Sequence, residues 1–452
     1  MGARRVDSDH VCSGCGHSSP RWFGRCPECG AWNTAATPAT QSEAVDVVSL
    51  EGAVTDAERF STGMPEVDRV VGGGLLPGGV TLLAGEPGIG KSTLVLQIMD
   101  GVLASGREAL LISGEESLAQ IALRGARIGA AMDRFRAAAS TSLERVLAAS
   151  ESERPDVLVV DSIQTLADES LEGAAGSVMQ VRECAAALVR FAKSTATAVI
   201  IVGHVTKDGT VAGPKALEHI VDAVVTLEGE SNGEMRLLRV SKNRFGPCTE
   251  TGVFVLGAAG LVAVEDPSAM LLADRRPGIP GSVVFAGLEG TRPLLVEIQA
   301  LVTRSSLTQP RRVAIGVDAR RLALLGGVLA KYCGLPLDKH DVFVAAAGGF
   351  AVREPAADLA LCLALLCAAE GVALNPDVVA LGEVGLGGEV RRVPGIERRI
   401  GEARRLGFET AIAPACARGR GLGFETVGIE TIGKVFEHIT RLSGAARLHS
   451  AG

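Results

Sequence analysis

The sequence predicts an α/β protein: a parallel-sheet core with a small metal knuckle before it and an α+β region after it. Three observations carry this. Short β-rich apolar runs alternate with helical stretches over residues 80–202, the pattern of parallel strands joined by crossover helices. The first of those runs passes straight into a glycine-rich phosphate loop. Four cysteines crowd residues 12–29 in two CxxC pairs.

Composition narrows the choice. At 452 residues the chain has room for about three domains. Apolar residues make up 47% and aromatic residues only 3%, so the core is mostly aliphatic. Charged residues at 21% exclude a wholly disordered or fibrous chain. A net charge of −7 excludes a globally basic nucleic-acid protein and leaves room for a local basic patch. No apolar run reaches the ~18–20 residues of a membrane span. The start, MGARRVDSDH, has no apolar segment behind its arginines, so the expectation is a cytosolic chain with no membrane partner.

The knuckle comes first. Cys12, Cys15, Cys26 and Cys29 form C-x2-C-x10-C-x2-C. Each CxxC turn aims two thiolates at one point, and two such turns complete a tetrahedral zinc site with no open position, hence a structural metal. The other six cysteines are scattered, mostly among apolar neighbours, and read as small buried hydrophobes. The knuckle also carries Arg21, Trp22, Phe23, Arg25 and Trp32. These rings suit stacking on a base or a partner surface, or else they cover the metal. The Thr-, Ala- and Ser-rich stretch 35–58 reads as a flexible tether.

The core is expected over 59–265. Val80–Ala84 is its first strand, and it enters Gly85-Glu86-Pro87-Gly88-Ile89-Gly90-Lys91-Ser92-Thr93, with an amphipathic helix over Leu94–Leu103 behind. This is G-x4-G-K-[ST] between a strand and a helix. The glycines let backbone N–H groups curl around the phosphates of ATP, Lys91 reaches the β- and γ-phosphates, and Ser92 holds Mg²⁺. The strand Ala109–Ser113 ends at Glu115 and Glu116, where a carboxylate can orient the attacking water. Glu115 is the first choice for that base and Glu116 the second, the other account being a pair of acids favoured by a helix N-terminus. Val157–Val160 ends at Asp161, placed to hold Mg²⁺ through water. Ala198–Val202 ends at Gly203-His204, and His204 reads either as a γ-phosphate sensor or as a structural histidine. The loop Lys207–Lys215 is polar and glycine-rich, suited to tracking a phosphate backbone.

Farther on stands Lys242-Asn243-Arg244-Phe245-Gly246. With this pentapeptide, the four-cysteine knuckle and the order of the nucleotide motifs, the chain resembles the bacterial RadA (Sms) family of DNA repair proteins from Cys12 to about Leu442. The resemblance implies a RecA-like ATPase core and a ring, hexameric in the family's manner, acting on single-stranded and branched DNA with the RecA recombinase. Lys242 and Arg244 are two residues apart, so on an extended segment they face one way. In a ring they become candidates for cationic fingers in a neighbour's nucleotide site.

Residues 271–442 resemble the proteolytic domain of the Lon family, which uses a Ser nucleophile and a Lys base. Here the aligned serine position is Ala356 and the aligned lysine position Glu397, so the expectation is a protease-shaped domain without protease chemistry. Its arginines, among them Arg304, Arg311 and Arg312, suit either a DNA-lined channel or surface ion pairs. The expected organisation is a C4 zinc finger at 1–34, the tether at 35–58, the ATPase at 59–265, the Lon-like domain at 271–442 and a tail at 443–452. Three functions compete: a branch-migrating DNA motor, a recombination mediator with a switching ATPase, and an ATP-dependent protease.

Overall fold

Unbroken apolar runs such as Val157-Leu158-Val159-Val160 are what a strand looks like when both faces of its sheet are covered, and all four of these side chains are buried. The computed structural model describes residues 10–19, 21–36, 58–204, 214–229, 234–417 and 424–435. Nearly all of the expected tether, most of the loop 207–215 and the tail 443–452 lie outside the described residues. The chain divides into two compact units, 1–57 and 58–452.

In the first unit, β1 (His10–Cys12) pairs antiparallel with β2 (Ser18–Ser19) and β3 (Ala35–Ala36). In the second unit, α1 (Pro65–Val71) precedes the phosphate-loop strand β4 (Val80–Gly85) and the helix α2 (Lys91–Ala104). There follow β5 (Ala109–Ser113), α3 (Leu118–Arg127), β6 (Arg136–Ala139), α4 (Leu143–Glu153), β7 (Val157–Asp161), α5 (Val178–Thr195) and β8 (Ala198–His204). Strands β9 (Ala223–Glu228), β10 (Met235–Asn243), β11 (Thr251–Gly257) and β12 (Gly260–Ala263) complete one sheet, ordered β12-β11-β10-β9-β4-β8-β7-β5-β6. The six strands from β9 to β6 are parallel, and β10, β11 and β12 extend the sheet antiparallel.

The short helix α6 (Pro267–Leu272) leads to a second sheet. It contains β13 (Ser282–Glu289), β14 (Arg292–Arg304), β15 (Arg312–Ile315), then α7 (Ala319–Tyr332), β16 (His340–Ala346), α8 (Asp358–Glu370) and β17 (Val378–Ala380). A two-stranded ribbon of β18 (Glu383–Val384) and β19 (Val390–Arg391), the helix α9 (Ile396–Arg405), β20 (Thr410–Pro414) and β21 (Glu425–Ile429) follow. The sheet order is β15-β16-β14-β13-β17-β20-β21, mixed parallel and antiparallel. Helix α8 is apolar all round because it is buried all round, from Asp358 to Cys367.

The two sheets meet on β10. Leu238 and Val240 pack into the core of the first sheet, while Met235 and Leu237, on the opposite face, pack against the core of the second. The pattern is the period-2 alternation of a strand with a different hydrophobic layer on each side. Ion pairs reinforce the junction. Arg239 pairs with Glu228 at 3.2 Å and also with Glu289 of β13. Glu66 of α1 accepts from Arg69 at 2.7 Å, from Arg292 of β14 at 2.6 Å and from the Val253 amide at 3.1 Å.

Candidate functional site

Four neighbouring strands bring their C-terminal ends together. Gly85 of β4 is in register with His204 of β8, and Ser113 of β5 with Asp161 of β7. The chain leaves the sheet at each of these points, so the loops beyond them converge. Gly90 begins α2 at φ 116°, a left-handed conformation that glycine adopts without steric cost. At Gly114 a Cβ would stand 2.0 Å from the Thr165 hydroxyl, so only glycine lets the 114–117 turn lie this close to the segment after β7.

Lys91 is buried, and its ammonium donates to the Gly85 carbonyl at 3.0 Å and the Glu86 carbonyl at 2.9 Å, and meets His204 Nδ1 at 3.1 Å. These three partners match the three donors of an ammonium. Since Nδ1 accepts from Lys91, the proton of a neutral His204 sits on Nε2, which lies 2.9 Å from Glu115 Oε1. Glu115 also accepts from the Ser162 hydroxyl. His204 therefore joins the phosphate-loop lysine to a carboxylate of the neighbouring loop. Glu116 pairs with Arg124 and lines a small pocket with Ser92 and Asp161.

Asp161 is buried, and its Oδ1 has no hydrogen-bond partner. Burial pushes its carboxyl up from the usual range, against the pull of the Ser92 hydroxyl that bonds it. Burial likewise pushes the Lys91 ammonium down, opposed by Asp161 and Glu115. An orphaned buried carboxylate oxygen beside a serine hydroxyl fits a divalent cation, and a desolvated lysine at the end of a glycine-rich loop fits a phosphate. Ser92 and Asp161 are the residues able to hold Mg²⁺. Gly85, Glu86, Pro87, Gly88, Ile89, Gly90 and Thr93, the other residues expected to cradle the phosphates, surround Lys91 and Ser92 along the chain from the end of β4 into α2. A cavity of about 330 Å³ opens beside it, between Gly85, Glu86 and Ile89 on one side and Phe350 and Arg353 on the other.

Lys242 and Arg244 lie elsewhere. Asn243 pairs with Ala223, and Ala223 with Thr81, four residues before Gly85. At ~3.3 Å per residue the pentapeptide sits about 13 Å back along the sheet, toward the end opposite the phosphate loop. Lys242 donates to the Glu218 carbonyl and, at 2.7 Å, to the Val221 carbonyl. Arg244 pairs with buried Asp222 at 3.0 Å while remaining 45% exposed. A register shift between Val240 and Lys242 sets the phase of this end of β10.

In the first unit the sulfurs of Cys12, Cys15, Cys26 and Cys29 all lie within 4.8 Å of one another. Four thiols at that spacing fit a tetrahedral zinc ion. Trp22 and Trp32 are 64% and 70% exposed, so the tryptophans do not cover the metal position.

In the second sheet's domain, Ala356 is buried in the turn before α8. Glu397 stands exposed on α9. The neighbouring segments are joined instead by Arg399, fully buried, which donates to Glu354 at 3.0 and 2.5 Å. Three contacts were hidden from the sequence: the Ser162–Glu115 bond, the Arg124–Glu116 pair and the donation of buried Arg236 to the Ile89 carbonyl at 3.1 Å. The first and third depend on which strands are neighbours, for which no local signal exists, and the second on how Arg124 of α3 reaches back to the turn before it.

Comparison with known proteins identifies the pieces. Residues 10–35 match the family described as a rubredoxin metal binding domain, 44–210 an AAA domain, and 330–416 the subunit ChlI of Mg-chelatase. The chain is 46% identical over 424 residues to the DNA repair protein RadA of Brucella abortus, covering 89% of this chain and 91% of that one. The chain belongs to the RadA family of DNA repair proteins. The RadA of Pseudomonas aeruginosa is 47% identical over 416 residues, with 89% and 92% covered. That of Bacillus subtilis is 42% identical over 458 residues, with 97% and 100% covered. This RadA-family chain thus joins an AAA ATPase core of RecA-like type to a four-cysteine zinc ribbon and a ChlI/Lon-like domain. Among the described residues, no helix is long and apolar enough to cross a membrane.

Proposed function

We propose that this protein is a DNA-dependent ATPase of recombinational repair. In this reading it is a cytoplasmic homo-oligomeric ring, hexameric as the family resemblance implies, that binds single-stranded DNA and moves branch points with the RecA recombinase. The carrying observation is the distance between the phosphate loop and the Lys242–Arg244 pair. Half-exposed Arg244 stands about 13 Å back along the sheet from its own chain's phosphate loop, so a role on nucleotide calls for a neighbouring subunit's site, as a ring provides.

Within each site, Lys91 and the loop amides hold the phosphates. Ser92 and Asp161 hold Mg²⁺, which neutralises phosphate charge when bound. Glu115 orients the attacking water. Its bonds to His204 and Ser162, the first of which links it to Lys91, support this choice, and Glu116, paired with Arg124, is the second candidate. Lys242 and Arg244 act in trans on the charge that develops there. The domain limits we adopt are 1–34, 59–265 and 271–442. The last has no proteolytic role, since Ala356 offers no nucleophile and Glu397 no amine base.

A synthetic three-way DNA junction with a mobile branch point tests the motor. With ATP the branch should move, and with the Lys91→Ala variant it should not. Full DNA-stimulated hydrolysis without any branch movement would convert the motor into a switch.

A further inference from the structure

We propose that the zinc ribbon is a stacking platform for unpaired nucleobases, built from Trp22 and Trp32 with Arg21 and Arg25 around them. The proposal deepens the single-stranded DNA reading above and rests on it. The chain has two tryptophans in 452 residues, and both lie in this ribbon. Tryptophan is among the most buried side chains on average, yet here both are mostly solvent-facing, 64% and 70% exposed. Neither seals the thiols, since Cys15 and Cys29 are exposed while Cys12 and Cys26 are buried.

The rings are placed by one piece of backbone. Gly24 accepts from the Asn33 amide at 2.8 Å, and Arg25 bridges to Trp32 across the same pairing. The Trp22 ring reaches back over Gly24, where an added Cβ would meet it at 3.4 Å. The two rings therefore flank one short hairpin. The Arg25 guanidinium stands 5.7 Å from the Trp32 ring centroid and is fixed by its bond to the Gly30 carbonyl at 3.1 Å. Among the described residues of the unit, Glu28 is the only carboxylate side chain, against exposed Arg21 and Arg25. Flat exposed rings interleaved with fixed cations match the base faces and phosphates of a single strand. A docked protein would have no use for that local charge unless it were acidic.

The two tryptophans also supply the test, since the emission of the full-length zinc-loaded protein at their wavelength comes from this ribbon alone. A fluorescein-labelled oligodeoxythymidylate reports total binding by anisotropy, and tryptophan emission reports the platform. We expect emission to be quenched in step with the rise in anisotropy. The Trp22→Ala/Trp32→Ala double variant, with zinc content unchanged, should bind roughly fivefold or more weakly, as loss of base stacking implies. An anisotropy rise with unmoved tryptophan emission, and a double variant that binds like the parent, would overturn the platform while leaving DNA binding intact. No anisotropy rise at all would remove the DNA-binding reading itself. Emission that responds to purified RecA recombinase and not to the oligonucleotide would make the surface a protein dock and reject the proposal.

Discussion

Lys91, Glu115 and His204 form one hydrogen-bonded chain, so their substitutions should differ in kind. Glu115→Gln keeps the shape of the site and removes the base. Nucleotide binding should persist, measured with a fluorescent ATP analogue, while turnover falls by about 10²–10⁴, the usual worth of a positioned general base. Glu116→Gln removes a partner of Arg124 and should cost far less turnover. The reverse order of effects would make Glu116 the base. Arg244→Ala should leave binding intact and cut hydrolysis by as much as the ~10³–10⁵ known for trans-acting arginines. Mixing it with Lys91→Ala subunits tests the geometry, because some interfaces then pair a sound phosphate loop with a sound finger. Recovery of ATPase activity in mixed rings is expected. No recovery at any ratio, with both variants assembling normally, would place Arg244 in cis or on DNA.

At the scale of elements, four of the six parallel strands, β4, β5, β7 and β8, were legible in the sequence because they are buried almost throughout and so read as aliphatic runs, whereas half-exposed β6 carries no such signal. The strands 80–85, 109–113, 157–161 and 198–204 match the expected positions to within a residue or two. Their spatial order was not legible, since nothing local to β5 says that it lies beside β7. The helix behind the phosphate loop starts three residues earlier than its amphipathic pattern suggested, because Lys91 and Ser92 are helical while serving the site. Nor was it legible which of the two acids meets His204 and which meets Arg124, because Glu115 reaches a histidine at the end of another strand while Glu116 pairs along α3. Elements of the second domain offer a pH test. Asp266 caps α6 and accepts both guanidinium nitrogens of Arg405 on α9, at 2.6 and 2.8 Å. Arg405 holds the Asp266 carboxyl below the usual range. A depressed acid contributes stability above its unfolded value, about 3.9, and loses it as pH falls through the folded one. Thermal melts of Asp266→Asn should therefore lie below the parent near neutral pH and converge with it as the pH drops below about 4. A constant gap across that range would mean the ion pair contributes nothing, as solvent-exposed pairs often do.

At the scale of the whole molecule, the division at residue 57 predicts that metal loss stays local. Cys26→Ala should abolish stoichiometric zinc, checked by metal analysis, and leave the main calorimetric transition within about 2 °C, because the large cores share no ligand with the ribbon. A collapsed main transition would show the ribbon to be part of the core. Within the larger unit the constraint runs the other way. Strand β10 carries Arg236 against the phosphate loop, Arg239 against Glu289 of the second sheet, and Lys242 at its far end, with one register shift between Val240 and Lys242 to set the final phase. Moving any of these by one residue swaps the strand's two faces. Insertions and deletions among related sequences should therefore collect in the turns on either side and spare 235–243, making this strand a fixed ruler against which the length of everything else can drift.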